Sequence, residues 1–80
     1  MPKLKVLSGN DLIKIFNQFG FVIQSQKGSH IKLSKISSNQ REVLIVPNHK
    51  EMDIGTLKAI YRQASKYINE KDLFPFFYNK

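Results

Sequence analysis

The stretch Lys27-Gly28-Ser29-His30, with the run Ile31-Lys32-Leu33-Ser34-Lys35 directly behind it, decides the fold of this chain. Glycine and serine after a lysine are typical of a turn, and the run alternates apolar and polar residues with the period of two of a strand. The apolar residues of the run are predicted to face a core, while His30, Lys32 and Ser34 face the opposite side. The stretch therefore predicts a β-hairpin that carries a histidine and a lysine on its polar face.

A helix is predicted before the hairpin, from about residue 9 to residue 18. Ser8 is typical of a helix N-cap, and Asp11 is an acidic residue in the first turn, where it accepts from free amides. Gly20 stands where a C′ glycine ends a helix. Apolar residues recur at intervals of three and four and predict one buried stripe, which contains Leu12, Ile15, Phe16 and Phe19.

Three strands are predicted, over residues 21–26, 30–35 and 41–46. β-Branched and aromatic residues favour the first strand, and residues 36–40 form a polar loop between the second and the third. The third strand contains four consecutive apolar residues, which predicts cover on both of its faces. Pro47 ends it, because proline cannot continue a sheet ladder from a central position.

A second helix is predicted from residue 54 or 55 to residue 67, with Asp53 as its N-cap. Lys58, Arg62 and Lys66 recur every four residues and form a basic ridge, although an ordinary solvated helix face has the same pattern. Residues 69–80 begin polar and continue aromatic, which predicts a tail that packs on the sheet or on the last helix. The buried stripe of the second helix is predicted to contain Leu57, Ile60, Tyr61, Ala64 and Ile68.

The order of these elements predicts one α+β domain over residues 1–80, with an aromatic tail at 69–80. The fold is a two-layer α-β-β-β-α arrangement, in which a three-stranded antiparallel sheet has both helices on one face. The other face of the sheet is left open. His30 and Lys32 are predicted to lie on that open face, opposite the helices.

The composition limits what kind of protein this chain can be. Its 80 residues fit one domain, and the absence of cysteine excludes disulfides and cysteine-based zinc sites. The two histidines lie too far apart in sequence to form a local metal-ligand pair. No apolar run is long enough to cross a bilayer, so a soluble cytoplasmic protein without membrane contact is expected. The net charge of +7 favours a polyanionic partner, although such charge also serves solubility alone.

Four groups of residues, in order from about Ser8 to Ser65, give the chain a family resemblance. They are Gly20-Phe21, Gln26-Lys27-Gly28-Ser29-His30, Val46-Pro47 with His49-Lys50-Glu51, and Gly55-Thr56-Leu57-Lys58 with Ile60 and Gln63-Ala64. With these groups the chain resembles the HicA-type (YcfA-like) mRNA interferase toxins. The resemblance implies a fold like that of double-stranded-RNA-binding domains, cleavage of mRNA that blocks translation, and neutralisation by a HicB-type antitoxin protein. It also implies that His30 is the catalytic residue; Ile31 departs from the histidine or aromatic residue that many relatives have there.

The chemistry of RNA cleavage fits these residues on its own terms. The 2′-hydroxyl of RNA is a built-in nucleophile, so cleavage needs in-line geometry, a general base and charge stabilisation, and no metal or small-molecule cofactor. Histidine suits the base, because its unperturbed pKa is about 6.5, and Gly28 allows the backbone to approach a phosphate closely. With His30 as the base, the predicted RNA and phosphate contacts are Lys27, Gly28, Ser29, Lys32, His49, Lys50, Lys58 and Arg62.

Two other functions use the same residues. A non-catalytic RNA-binding module of this fold grips duplex RNA by its shape, and it needs cations at the hairpin but no imidazole. A protein-interaction domain uses its basic charge to bind an acidic antitoxin. The histidines also have ordinary interpretations, since His49 after a proline is common in turns and a histidine at the start of a strand is often inert.

Overall fold

The structure is a computed structural model and describes residues 2–79. Strands β2, β3 and β4 form an antiparallel sheet with β3 in the centre, and β1 pairs with β5 in a separate antiparallel ribbon. This arrangement confirms the predicted α+β fold with a three-stranded antiparallel sheet. In chain order the elements are β1 (Lys3–Leu4), α1 (Gly9–Gln18), β2 (Val22–Lys27), β3 (His30–Ser37), β4 (Gln40–Pro47), α2 (Ile54–Ala64), α3 (Glu70–Phe77) and β5 (Tyr78–Asn79).

The two faces of the central strand differ as the alternation predicts. Ile31 and Leu33 are buried, and they pair with Val46 and Leu44 of β4, which are also fully covered. The helices pack on this face, so the two-layer arrangement is confirmed. His30, whose side chain is exposed, lies on the opposite face, which is open to solvent.

The second hairpin of the sheet is tighter than predicted. The prediction of a loop over residues 36–40 is wrong, because β3 continues to Ser37 and β4 begins at Gln40. Only Ser38 and Asn39 form the turn, and both have positive φ, at 50° and 65°. Two successive left-handed residues are the signature of a type I′ turn, whose twist matches that of the flanking strands.

The prediction that both faces of β4 are covered is also wrong. Leu44 and Val46 are buried beneath the helices, but Ile45 between them is 39% exposed on the open face. The four consecutive apolar residues therefore obey the ordinary alternation of a sheet with one covered face. The main-chain amide of Ile45 at the free edge of β4 donates to Oε1 of Gln63 on α2, at 3.0 Å.

Helix α1 has the predicted boundaries and the predicted cap. The Ser8 hydroxyl accepts from the Asp11 amide at 3.0 Å, and the Ser8 amide donates to the Asp11 carboxylate at 2.9 Å. These reciprocal bonds form a capping box, which satisfies two amides of the first turn. Gly20 follows the C-cap residue with a φ of +94°, as a C′ glycine does.

Helix α2 ends three residues earlier than predicted. Its last residue is Ala64, and the Ser65 hydroxyl donates to the Tyr61 carbonyl at 2.8 Å. The amides of Lys66 and Tyr67 then bond to carbonyls only three residues back, which tightens the chain into a turn. Lys66 therefore lies outside the helix, and the predicted basic ridge is reduced to two helical residues.

The aromatic tail contains a helix that the sequence did not predict. Asn69 caps α3, since its side chain accepts from the Lys71 amide at 2.9 Å. Leu73 and Phe77, four residues apart, are fully buried in the same core as the other helices. The expected packing of the tail is thus confirmed. None of the helices within residues 2–79 is long and apolar enough to span a membrane.

Candidate functional site

The turn between β2 and β3 is fixed by its glycine. Gly28 has a φ of +60°, whereas Ser29 is not among the residues with positive φ. A glycine in this conformation at the first central position is typical of a type II′ hairpin turn. The Gln26 side-chain amide donates to the Gly28 carbonyl at 3.1 Å and braces the turn. A Cβ placed on Gly28 would meet no atom within 4 Å, so the space beside this backbone is free.

Strand pairing brings together the hairpin residues that the sequence singled out. His30 lies directly opposite Lys27 on β2 and Pro47 on β4. Lys32, two residues further along β3, projects on the same open face as His30. Residues directly opposite one another in an antiparallel pair have Cβ atoms about 5 Å apart, so a lysine flanks His30 across the strands and another lies along its own strand.

The two-residue turn at Gly28-Ser29 determines which residue faces His30, because it pairs Lys27 directly with that histidine. Further along, the register of β2 against β3 shifts between Ile23 and Ser25, where β2 has one extra residue. This β-bulge lets Ile23 pair with Leu33 on the covered face, although Lys27 stands on the open face. The turn therefore places a cation beside the histidine, and sequence alternation alone does not reveal the bulge.

The segment after β4 is held against the hairpin turn. The Asn48 amide donates to the Ser29 carbonyl at 2.6 Å, and the His49 carbonyl accepts from the Gly9 amide at 2.8 Å. His49 and Lys50, both exposed, therefore follow a residue that is tied to the turn. The structure brings this predicted pair to the same end of the molecule as the hairpin.

Asp53, the N-cap of α2, accepts two hydrogen bonds from Thr56 near the loop that carries His49. The Thr56 hydroxyl donates to Asp53 at 2.7 Å and the Thr56 amide does so at 3.0 Å. These two bonds hold the pKa of Asp53 below its ordinary value, and His49 makes a smaller contribution in the same direction. The start of α2 thus lies beside the loop that carries His49.

Lys58 and Arg62 are separated from the hairpin residues. They lie on the side of α2 away from Gln63, the residue that reaches the edge of β4. Together they line a cleft with Tyr61 and Tyr78. The predicted RNA contacts therefore divide into two groups, one on the open sheet face with its loop and one on α2.

Tyr61 in this cleft stays protonated across the physiological range. Burial of its ring, together with a hydrogen bond from its hydroxyl to Glu70 at 3.1 Å, raises its pKa to about 12. Tyr61 therefore adds no negative charge that would offset the cations of the cleft. Within residues 2–79, no three histidine, aspartate or glutamate side chains stand close enough together to hold a metal ion.

Sequence reasoning missed several residues that support the site. Gln26 was part of the resembling motif, but nothing in the pattern showed that its side chain braces the turn. Asn48 acts through its backbone amide, for which side-chain identity gives no signal. Tyr78 comes to the α2 cleft only because α3 and β5 fold back, and Asn69 followed by Glu70 and Asp72 was the available signal for that helix.

One of three comparisons with known proteins found a match, and it agrees with the fold. The sequence profile of a family described as HicA toxin of bacterial toxin-antitoxin matches residues 9–65. Comparison with curated proteins and with solved structures found no significant match. The matched region runs from the first residue of α1 to the end of α2, and its α-β-β-β-α order agrees with a double-stranded-RNA-binding-domain-like fold. Because this match covers most of the chain, the protein belongs to the HicA family of toxins from bacterial toxin–antitoxin systems.

Proposed function

We propose that this toxin is an endoribonuclease that cleaves mRNA and so arrests translation, with His30 as its general base. The observation that carries the proposal is the pairing of His30 with Lys27 across β2 and β3, on an exposed face that also holds Lys32. An imidazole between two ammonium groups is a suitable arrangement for exchanging a proton beside a bound phosphate. The RNA itself supplies the nucleophile.

The reaction is an internal transfer within the RNA. The His30 imidazole takes the proton of a 2′-hydroxyl, the 2′-oxygen forms a bond to the adjacent phosphorus, and the bond from phosphorus to the 5′-oxygen breaks. The leaving 5′-oxygen takes a proton from solvent, which has free access to the open face. The products are a 2′,3′-cyclic phosphate and a 5′-hydroxyl end, and Lys27 and Lys32 neutralise the charge that develops on the phosphoryl oxygens.

The remaining hairpin and loop residues position the RNA backbone in this proposal. The free space beside Gly28 admits a phosphate close to the turn. Ser29 follows in the turn, and its carbonyl holds Asn48 and therefore the start of the loop with His49 and Lys50. These groups bind phosphates on either side of the one that reacts, and this contribution does not depend on base sequence.

The test is cleavage of an end-labelled RNA by the purified chain in EDTA. His30→Ala is expected to lose cleavage by at least about 100-fold, the usual contribution of one positioned base, while its RNA affinity stays close to wild type. His49→Ala is the matched histidine control, and it is expected to weaken binding and retain cleavage. An RNA with 2′-deoxyribose at the cleaved nucleotide should resist cutting. Undiminished cleavage by His30→Ala, or complete loss of wild-type activity in EDTA, contradicts the mechanism.

The same assay decides the second candidate function, an RNA-binding module that does not cut. The exposure of His30 on the open sheet face is the observation that favours this candidate. Wild-type chain that retains RNA in a filter or gel assay, yet yields no cyclic-phosphate product, would establish binding without cleavage. In that case His30→Ala should alter neither measurement.

A further inference from the structure

A second surface of the molecule lies between β1 and the start of α2. It is a groove of about 520 Å³, and its lining combines apolar side chains with a basic rim. We call it the β1–α2 groove, and its apolar lining includes Leu4, Val6, Met52, Ile54, Leu57 and Tyr78.

The apolar lining of the β1–α2 groove is open to solvent along its walls. Val6 is 75% exposed and Ile54 is 65% exposed, whereas Met52 and Leu57 beneath them belong to the buried core. Exposed aliphatic side chains that lie together above a core are typical of a surface that a partner covers. Single exposed apolar residues need no explanation, but here two line one concave surface.

The rim of the groove is positively charged. Lys3, Lys5 and Lys58 line it, and Glu51 is its acidic lining residue. The neighbouring cleft on α2 shares Lys58 and extends the basic surface to Arg62. An apolar floor between cations is complementary to a segment that has apolar residues on one side and carboxylates at its borders.

The groove is held in shape by the backbone. The Lys5 amide donates to the Phe77 carbonyl at 2.7 Å, and the Met52 amide donates to the Leu7 carbonyl at 2.9 Å. The chain before α1 is thereby fixed to α3 on one side and to the loop before α2 on the other. A preformed groove binds more tightly than a mobile one, because less conformational entropy is lost on binding.

We propose that the β1–α2 groove binds an acidic amphipathic segment of the antitoxin. Apolar residues of that segment insert between Val6 and Ile54, and its carboxylates pair with Lys3, Lys5 and Lys58, in the manner of a helix or short peptide laid in a groove. The proposal rests on the antitoxin partner that membership of the toxin family implies. It is independent of the RNA cleavage proposed above.

The lining of the groove favours a protein occupant over RNA. Val6 and Ile54 are aliphatic, and Tyr78, the aromatic residue of the lining, already stacks on Phe74 with ring centroids 4.6 Å apart. Unstacked bases are usually held on free aromatic rings or guanidinium planes. The cations are also spread around an apolar surface, instead of forming the continuous basic track that a nucleic-acid strand follows.

The experiment measures binding of a labelled synthetic peptide to the full chain by fluorescence polarisation. The peptide is helical, with leucine at positions i, i+3, i+4 and i+7 and glutamate at its borders. Saturable binding is expected, and Val6→Asp and Ile54→Asp should each weaken it at least about tenfold, or 1.4 kcal/mol. Ile36→Asp is the matched control, because Ile36 is 69% exposed on β3, outside the groove, and it should leave binding unchanged.

Further arms of the experiment can overturn the proposal. Equal binding of a peptide with lysine in place of glutamate would contradict the pairing of carboxylates with the lysines of the rim. A single-stranded RNA that displaces the peptide, and that loses affinity in Ile54→Asp, would assign the groove to nucleic acid. Absence of saturable peptide binding would reject the proposal outright. Melting curves confirm folding of each variant, and Val6→Asp decides the result if Ile54→Asp unfolds. No arm requires RNA cleavage, so inactivity as a nuclease does not affect the result.

Discussion

At the scale of single residues, two glycines at helix starts are predicted to respond in opposite ways to the same substitution. A Cβ on Gly9 would lie 2.7 Å from the Pro47 carbonyl oxygen and 2.9 Å from Asn48 Cα, so backbone must move. Gly9→Ala is expected to lower the free energy of unfolding by about 2 kcal/mol. At Gly55 the nearest atom is a side-chain oxygen of Asp53 at 3.4 Å, and Gly55→Ala should raise stability by about 0.5 kcal/mol.

Urea denaturation of the two variants measures both changes in the free energy of unfolding. Gly9 contacts the segment that carries Asn48 to the hairpin turn, so amide hydrogen exchange at Asn48 should also increase in Gly9→Ala. Equal destabilisation by both substitutions would mean that helix propensity, and not the contact with Pro47, determines the effect. An unchanged Gly9→Ala protein would contradict the close packing of α1 against β4.

The carboxylate that caps α2 gives a pH prediction. The Thr56 hydroxyl and amide lower the pKa of Asp53 from 3.8, so the folded state holds the ionised form more firmly than the unfolded chain does. The stabilisation is therefore present above the unfolded pKa and is lost as the pH falls through the lower folded pKa. Thr56→Val removes the hydroxyl bond and is expected to raise the Asp53 pKa towards 3.8, while the amide bond remains.

An NMR titration of the aspartate carboxyl carbons measures this change. Asp11 is the internal control, because its pKa is lowered by the Ser8 amide and hydroxyl and does not depend on Thr56. Its titration should be identical in the two proteins. A change in the pKa of both aspartates would indicate a general change in fold or charge. An unchanged pKa of Asp53 would contradict the hydrogen bond from the Thr56 hydroxyl.

At the scale of secondary-structure elements, α3 is predicted to be an essential part of the core. Phe77 is fully buried, and its ring centroid lies 5.1 Å from that of Tyr61 and 6.1 Å from that of Phe16. Phe77→Ala is expected to cost about 3–5 kcal/mol, which is a large part of the stability of a small domain. Phe76→Ala is the control, because Phe76 is half-buried against Phe19 and should cost less.

Denaturation midpoints of both phenylalanine variants test this order of effects. A Phe77→Ala chain that stays as stable as Phe76→Ala would mean that α3 packs loosely on a core that is complete without it. The family match ends at Ser65, before this helix. The substitution therefore also tests whether the residues after the matched region are part of the folding unit.

The elements that could be predicted from sequence are those whose signals are local. The cap at Ser8, the apolar stripe and Gly20 define α1, and strict alternation defines the faces of β3. Helix α3 was missed because its sequence is short, contains Pro75 and begins with polar residues, and only burial of Leu73 and Phe77 makes it stable. The β3–β4 turn was missed because Ser38 and Asn39 lack the glycine that usually signals such a turn.

The candidate site, too, could be predicted from sequence only where its signals are local. Alternation placed His30 and Lys32 together because both lie on one strand. The position of Lys27 follows from the two-residue turn at Gly28-Ser29, which is a local signal. The position of His49 depends on the bond between Asn48 and Ser29, and no local pattern encodes that bond. Lys58 and Arg62 were grouped with the hairpin by charge alone, whereas helix rotation points them towards Tyr78.

At the scale of the whole molecule, five of the lysines that contribute to the net charge of +7 lie on two surfaces with different neighbours. On the open sheet face, Lys27 and Lys32 flank the exposed imidazole of His30. Around the β1–α2 groove, Lys3, Lys5 and Lys58 surround aliphatic side chains. In the two proposals made above, RNA binds one of these surfaces and the antitoxin segment binds the other. The division predicts that the two kinds of binding can be weakened separately.

The salt dependence of RNA binding distinguishes these surfaces. Each lysine that neutralises a phosphate of single-stranded RNA contributes about 0.7 to the slope of log Kobs against log salt concentration. In a His30→Ala background, which is expected to prevent cleavage, Lys27→Ala and Lys32→Ala should each reduce the slope by about that amount. Lys58→Ala should leave it unchanged, as should Lys71→Ala, a control on the exposed surface of α3. A slope reduced by Lys58→Ala as much as by Lys27→Ala would mean that RNA crosses α2, and the groove would then belong to the RNA path.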